Sequence, residues 1–114
     1  MPGTLGEFET LVLIALARQG SDAYGVSLCS DIADRTGRDV SLGAVYKTLE
    51  RLEAKGLVAS RIGAPTAERG GRRKKHFKIA AAGERALMDS LNALRSMTEG
   101  LEATLPGAKA KGWL

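Results

Sequence analysis

In the first third of the chain, apolar positions recur at helical spacing. Phe8, Leu11, Val12, Ala15 and Leu16 form a one-sided stripe, which predicts a helix from about Leu5 to Arg18. Thr4-Leu5-Gly6-Glu7 has the form of a capping box, a hydroxyl followed three residues later by a carboxylate. Leu13 and Ile14 add apolar surface off the stripe, so this helix is expected to be buried on more than one side, with Leu13 facing a partner subunit. Gln19-Gly20-Ser21-Asp22 reads as a turn, with Asp22 placed to cap a second helix starting near Ala23 or Tyr24. Tyr24, Leu28, Ile32 and Ala33 share a face of that helix, and Gly37 is its stop signal. A third helix follows Ser41, a good N-cap residue, with Leu42, Val45, Leu49 and Leu52 inward and Gly56 at its end.

The period then changes. Leu57 to Ile62 suits a strand, Gly63 to Thr66 breaks it, and Arg73 to Ile79 returns with Phe77 and Ile79 on one side and His76 and Lys78 on the other. The two runs read as a hairpin with a long basic loop and a flexible tip at Gly70-Gly71. From Ala80 to about Leu105 the pattern is helical again. Leu87, Leu91, Leu94, Thr98 and Leu101 repeat at spacings of four, three, four and three, a seam of coiled-coil type. The fold expected is therefore mainly α with a small β-hairpin: a winged helix-turn-helix over residues 1–79, a dimerisation helix over 80–105 and a mobile tail over 106–114.

Composition narrows the function. The 114 residues are enough for one domain, and 44% hydrophobic with 26% charged residues is ordinary for a globular protein. The single cysteine, Cys29, excludes an internal disulfide and points to a reducing compartment, and no run of residues is long and apolar enough to span a bilayer. A cytoplasmic location is expected. The net charge of +4 says little alone, but Arg69, Arg72, Arg73, Lys74, Lys75 and Lys78 lie in ten residues without an acid. A local cationic stripe is the footprint of a phosphate-binding surface.

In helix-turn-helix proteins the second helix of the pair enters the major groove. Here that is the third helix, whose outward face offers Ser41, Gly43, Lys47, Thr48 and Arg51. Lys47 and Arg51 can donate to guanine or phosphate, Thr48 can touch a thymine methyl, and Gly43 lets a phosphate approach the helix N-terminus. The plain alternatives are a solvated face for Lys47 and Arg51, and tight packing on the second helix for Gly43. Arg72, Arg73, Lys74 and Lys75 are assigned to phosphates and the minor groove. The dimer interface is assigned to Leu13, Leu87, Leu91, Leu94, Thr98 and Leu101, with the seam as the place for a small-molecule effector.

Several fragments together resemble the PadR-like family of bacterial transcriptional regulators. They are Leu5-Gly6-Glu7-Phe8-Glu9, Asp22-Ala23-Tyr24-Gly25, Ser41-Leu42-Gly43-Ala44-Val45-Tyr46 and Leu49-Glu50-Arg51-Leu52-Glu53 with Lys55-Gly56-Leu57. Glu68-Arg69-Gly70-Gly71-Arg72 and Ala81-Ala82-Gly83 continue the match, which covers roughly residues 5 to 90. The resemblance implies a homodimer that binds an inverted-repeat operator in double-stranded DNA, usually as a repressor. Tyr24 and Tyr46 belong to the family pattern, each either a phosphate donor through its hydroxyl or a core aromatic with its hydroxyl at the rim. Ala80 departs from a family threonine that opens the last helix, and only one helix follows the wing, as in a short member.

No catalytic residue, cofactor or metal site is expected. His76 and Cys29 fall on different elements, no metal-ligand spacing occurs, and Gly70-Gly71 lacks the Walker lysine and serine. Cys29 reads as a small buried residue. A winged-helix interaction module that never touches DNA is the competing class. It would carry a neutral wing and an acidic or apolar outer face on the third helix, the reverse of this chain.

Overall fold

The computed structural model describes residues 5–63, 74–105 and 107. In chain order it contains α1 (Glu7–Gln19), a 3-10 turn (Gly20–Asp22), β1 (Ala23–Tyr24), α2 (Gly25–Thr36), α3 (Leu42–Ala54), β2 (Val58–Ile62), β3 (Lys75–Ile79), α4 (Ala81–Thr98) and a second 3-10 turn (Leu101–Ala103). The sheet is antiparallel in the order β1-β3-β2. Helices α1, α2 and α3 pack against one another, and α4 and β3 also pack on α1. The arrangement is a winged helix with an added C-terminal helix.

Local chemistry explains the boundaries. The first helix starts at Glu7, with Gly6 as N-cap; its N–H donates to Glu9 Oε1 at 2.9 Å. The box expected between Thr4 and Glu7 is therefore displaced by two residues toward Glu9, and Thr4 lies outside the described residues. Asp22 does not cap α2. It belongs to the 3-10 turn, and Ser27 Oγ accepts from the Tyr24 N–H at 3.0 Å instead. The same hydroxyl donates to Gln19 Oε1 at 2.7 Å, which ties the end of α1 to the start of α2. The reason for the shift is that Ala23 and Tyr24 are used in a strand, paired with Phe77 and His76. Ser41 caps α3 as expected, accepting from the Ala44 N–H at 3.1 Å.

The core is aliphatic with one aromatic: Val12, Leu13, Leu16, Leu28, Ile32, Val45, Leu49, Leu52, Val58, Phe77 and Leu87 are all buried. Two dimer-interface assignments change as a result. Leu13 is completely buried, because α4 and β3 cover within one chain the second apolar side of α1 that was assigned to a partner. Leu87 is buried in the same core cluster. Farther along α4, Leu91 and Leu94 are exposed, and so are Met88 and Met97. The last helix is shorter than expected: α4 stops at Thr98, Gly100 takes φ 75°, and Leu101 sits in a 3-10 turn off the helix. The 106–114 tail lies outside the described residues apart from Gly107.

Two glycines permit close approach. A Cβ on Gly25 would overlap the Tyr46 ring at Cζ and Oη, so α2 and α3 meet there through a bare backbone. A Cβ on Gly83 would overlap the Leu57 carbonyl oxygen and press on Ile79 Cγ1 at 2.9 Å. Leu57 O also accepts from the Ala80 N–H at 2.9 Å, so the root of α4 is fixed to the start of the wing.

Candidate nucleic-acid interface

Helix α3 is held on its buried side by Val45, Leu49 and Leu52, all fully buried. Ser41, Gly43, Tyr46, Lys47 and Arg51 are exposed, as their assignment requires. Thr48 is not: only 3% of it is accessible, and it belongs to the buried side. Leu42, expected inward, is 39% exposed. The face presented to solvent is thus rotated about the helix axis relative to the expectation. Thr48 lines an open groove of about 470 Å³ with Gly6, Glu7, Phe8, Glu9, Ala44, Lys47 and Arg51, where the start of α1 lies along α3. No side chain packs over Gly43; a Cβ there would meet nothing within 4 Å, so it is not a packing glycine.

Two carboxylates border this groove, and each forms its salt bridge with a cation other than Lys47 or Arg51. Glu7 Oε1 accepts from Arg38 Nη1 at 2.7 Å, and that hydrogen bond and charge lower the Glu7 pKa. Glu9 is more deeply placed, with its side chain 9% exposed, and its Oε2 meets Lys55 Nζ at 2.9 Å. Burial pushes the Glu9 carboxyl upward, but the Gly6 N–H, the Lys55 ammonium and the charge of Arg51 outweigh it and hold it below its ordinary 4.5. Among the described residues, Lys47 and Arg51 form no salt bridge, so both remain available to an external anion.

The wing root packs on the segment that leads into α2. Lys74 Nζ stands 4.4 Å from the centroid of the Tyr24 ring, a cation–π contact. Tyr24 precedes Gly25, and Gly25 carries the Tyr46 ring. One set of contacts therefore runs from the wing root to α3: Lys74, Tyr24, Gly25, Tyr46. Lys75 is less free, with Nζ 3.9 Å from Glu53 Oε1 and 5.5 Å from the Phe77 ring centroid. Arg72 and Arg73, with the Gly70-Gly71 tip, lie outside the described residues.

The strand β3 also anchors the wing to the turn before α2. His76 Nδ1 donates to the Asp22 carbonyl at 3.1 Å, and its ring meets Tyr24 edge-on at 6.0 Å. Arg61 Nη2 reaches Ser21 O at 3.3 Å and Asp22 Oδ1 at 3.7 Å. Cys29 is half-buried, its thiol donating to Val40 O at 3.3 Å. Among the described residues no helix is long and apolar enough to cross a membrane, and no histidine, cysteine, aspartate and glutamate cluster could hold a metal ion.

A family model for transcriptional regulators of the PadR-like family matches residues 12–89, more than half of the chain. The chain belongs to the PadR-like family of transcriptional regulators. Solved members share its winged-helix fold. A PadR-like regulator from Bacillus cereus is 19% identical, with TM-score 0.70 over 86% of this chain and 90% of that one. A PadR family regulator from Clostridium difficile is 21% identical, with TM-score 0.69 over 88% and 99%. Bacillus subtilis PadR, solved in complex with operator DNA, is 22% identical, with TM-score 0.62 over 74% of this chain and 47% of that one. Among curated proteins, none matches the chain in sequence.

Two features of the site escape a reading of the sequence. Glu9 looks like one of two acids ahead of an apolar run, yet it is the buried partner of Lys55, 46 residues away. Leu42 continues an apolar stripe, yet it is exposed. The only local signal for Glu9 was its place three residues after Gly6, which is the spacing of a capping carboxylate.

Proposed function

We propose that this PadR-like protein is a homodimeric cytoplasmic repressor that binds an inverted-repeat operator, reading the major groove with α3 and holding phosphate and minor groove with the wing. The observation that carries this reading is the run of contacts Lys74–Tyr24–Gly25–Tyr46. It links a wing cation, through Tyr24 and Gly25, to a helix whose exposed face holds Lys47 and Arg51. A reading helix and a wing must meet DNA together, and one contact surface between them serves that purpose. The Bacillus subtilis relative solved with operator DNA supports the same reading.

Two copies are joined through α4, where Met88, Leu91, Leu94 and Met97 are exposed apolar groups on a helix anchored at its start by Gly83 and Leu87. Half-buried Thr98 lies near the end of that row, and a small-molecule effector would enter at this seam. The test is fluorescence anisotropy with DNA from upstream of the protein's own gene, against random duplex of equal length. Selectivity of about a thousandfold or more is expected of a specific regulator. Equal, weak binding to both duplexes at physiological salt would refute sequence-specific regulation at that site.

A further inference from the structure

The rotation of α3 that buries Thr48 brings other side chains outward. Leu42, the first residue of α3, is exposed, as is Tyr46 one turn later on the same face. Val26, the second residue of α2, is 49% exposed and follows Gly25, against which the Tyr46 ring lies. Leu42 and Tyr46 thus present an apolar surface on one face of the first turns of α3, with the start of α2 packed beside Tyr46. Leu42 is not part of the apolar cluster that surrounds the core, although its neighbour Val40 is.

The surroundings restrict what can cover this patch. Lys74 lies over Tyr24 next to Gly25, and Lys47 follows Tyr46 along α3 without an ion-pair partner among the described residues. Helix N-termini also favour negative charge. An apolar surface at the start of a helix, with Lys47 beside it and the acid Glu50 set one turn farther along, fits a polyanion that presents small apolar groups. The major-groove edge of DNA has one such group, the C5 methyl of thymine.

We propose that Leu42, with Tyr46 one turn later on the same face, reads thymine methyl groups, so the operator half-site carries a thymine opposite the start of α3. The proposal rests on the DNA-binding reading above. It assigns to Leu42 the methyl contact that the sequence pattern had given to Thr48. Lys47 and Arg51 keep their polar partners, and Leu42 adds discrimination against cytosine, which lacks the methyl.

The test uses the full chain and duplexes that it enriches from a random pool. Each thymine is replaced in turn by deoxyuridine, which deletes only the methyl. At one or two positions per half-site the replacement is expected to weaken binding about fourfold, the effect of one buried methyl. In Leu42→Ala that penalty shrinks below about twofold at those positions, while the salt dependence, which counts phosphate contacts, stays unchanged. Because Leu42 is exposed, circular dichroism of the variant should match the parent. Uniform tolerance of deoxyuridine, or an equal penalty in Leu42→Ala, would overturn the proposal while leaving DNA binding intact. Loss of self-association in Leu42→Ala would instead assign the patch to a second copy. Failure to enrich any duplex would overturn the DNA reading itself, and this proposal with it.

Discussion

At the residue scale, three apolar side chains hold the inner face of α3 against the core. Val45, Leu49 and Leu52 repeat at helical spacing, and all three are buried. Leu42 and Thr48 stand at the two edges of that stripe, and periodicity cannot say which edge a neighbour covers. The start of α1 lies on the Thr48 side, where Phe8 and Glu9 line the same groove, while Leu42 stays exposed. Gly25 gives a direct test of how α2 and α3 meet. Gly25→Ala forces a methyl into the Tyr46 ring and should cost about 1–3 kcal/mol in urea unfolding. In a Tyr46→Ala background the same change should cost much less, and additive losses would mean the two residues do not touch. Glu9 makes a second prediction. Its folded pKa is lowered, so its contribution to stability is present above the ordinary 4.5 and is lost as pH falls through the lower folded value. Glu9→Gln should therefore be less stable than the parent at pH 7, with the gap closing in acid. A gap that does not change with pH would contradict the Glu9–Lys55 pairing.

At the scale of elements, the longer runs were legible and the shortest strand was not. Ser41 and Gly37 marked real helix ends, because capping chemistry is local. Strand β1 was missed, since two residues carry no alternation and its partners are more than fifty positions away. The end of α4 was missed for a related reason: heptad spacing continues through Leu101, but Gly100 turns the backbone away. Gly83 matters most at this scale. It lets α4 sit against the Leu57 carbonyl, so the seam-bearing helix and the wing share one joint. Because the obstacle there is backbone, Gly83→Ala should destabilise by about 3 kcal/mol and shift α4 relative to the wing. Thermal unfolding and amide exchange over Ala80–Leu87 would check this. Unchanged protection would show that the joint yields easily.

For the whole molecule, family membership and fold follow from pattern and structure together, and assembly is the next quantity to measure. Exposed Leu91 and Leu94 on α4 make a specific expectation: glutamate at both positions should give monomers in sedimentation without loss of the fold. Persisting dimers would place the interface elsewhere. The central claim is a division of labour, with α3 reading bases and the wing holding phosphate. The measurement that tests it most directly compares Lys47→Ala with Lys74→Ala, on the preferred duplex and on its single-base variants, across a range of salt. For a dimer that neutralises about six phosphates the parent should show a log-log salt slope near −5. Lys74→Ala is expected to weaken binding to every sequence and reduce that slope by about two, one cation being lost per subunit. Lys47→Ala should instead change the ranking of the single-base variants. If both variants weaken binding to all sequences equally and leave the ranking intact, α3 does not read the operator and the account is wrong.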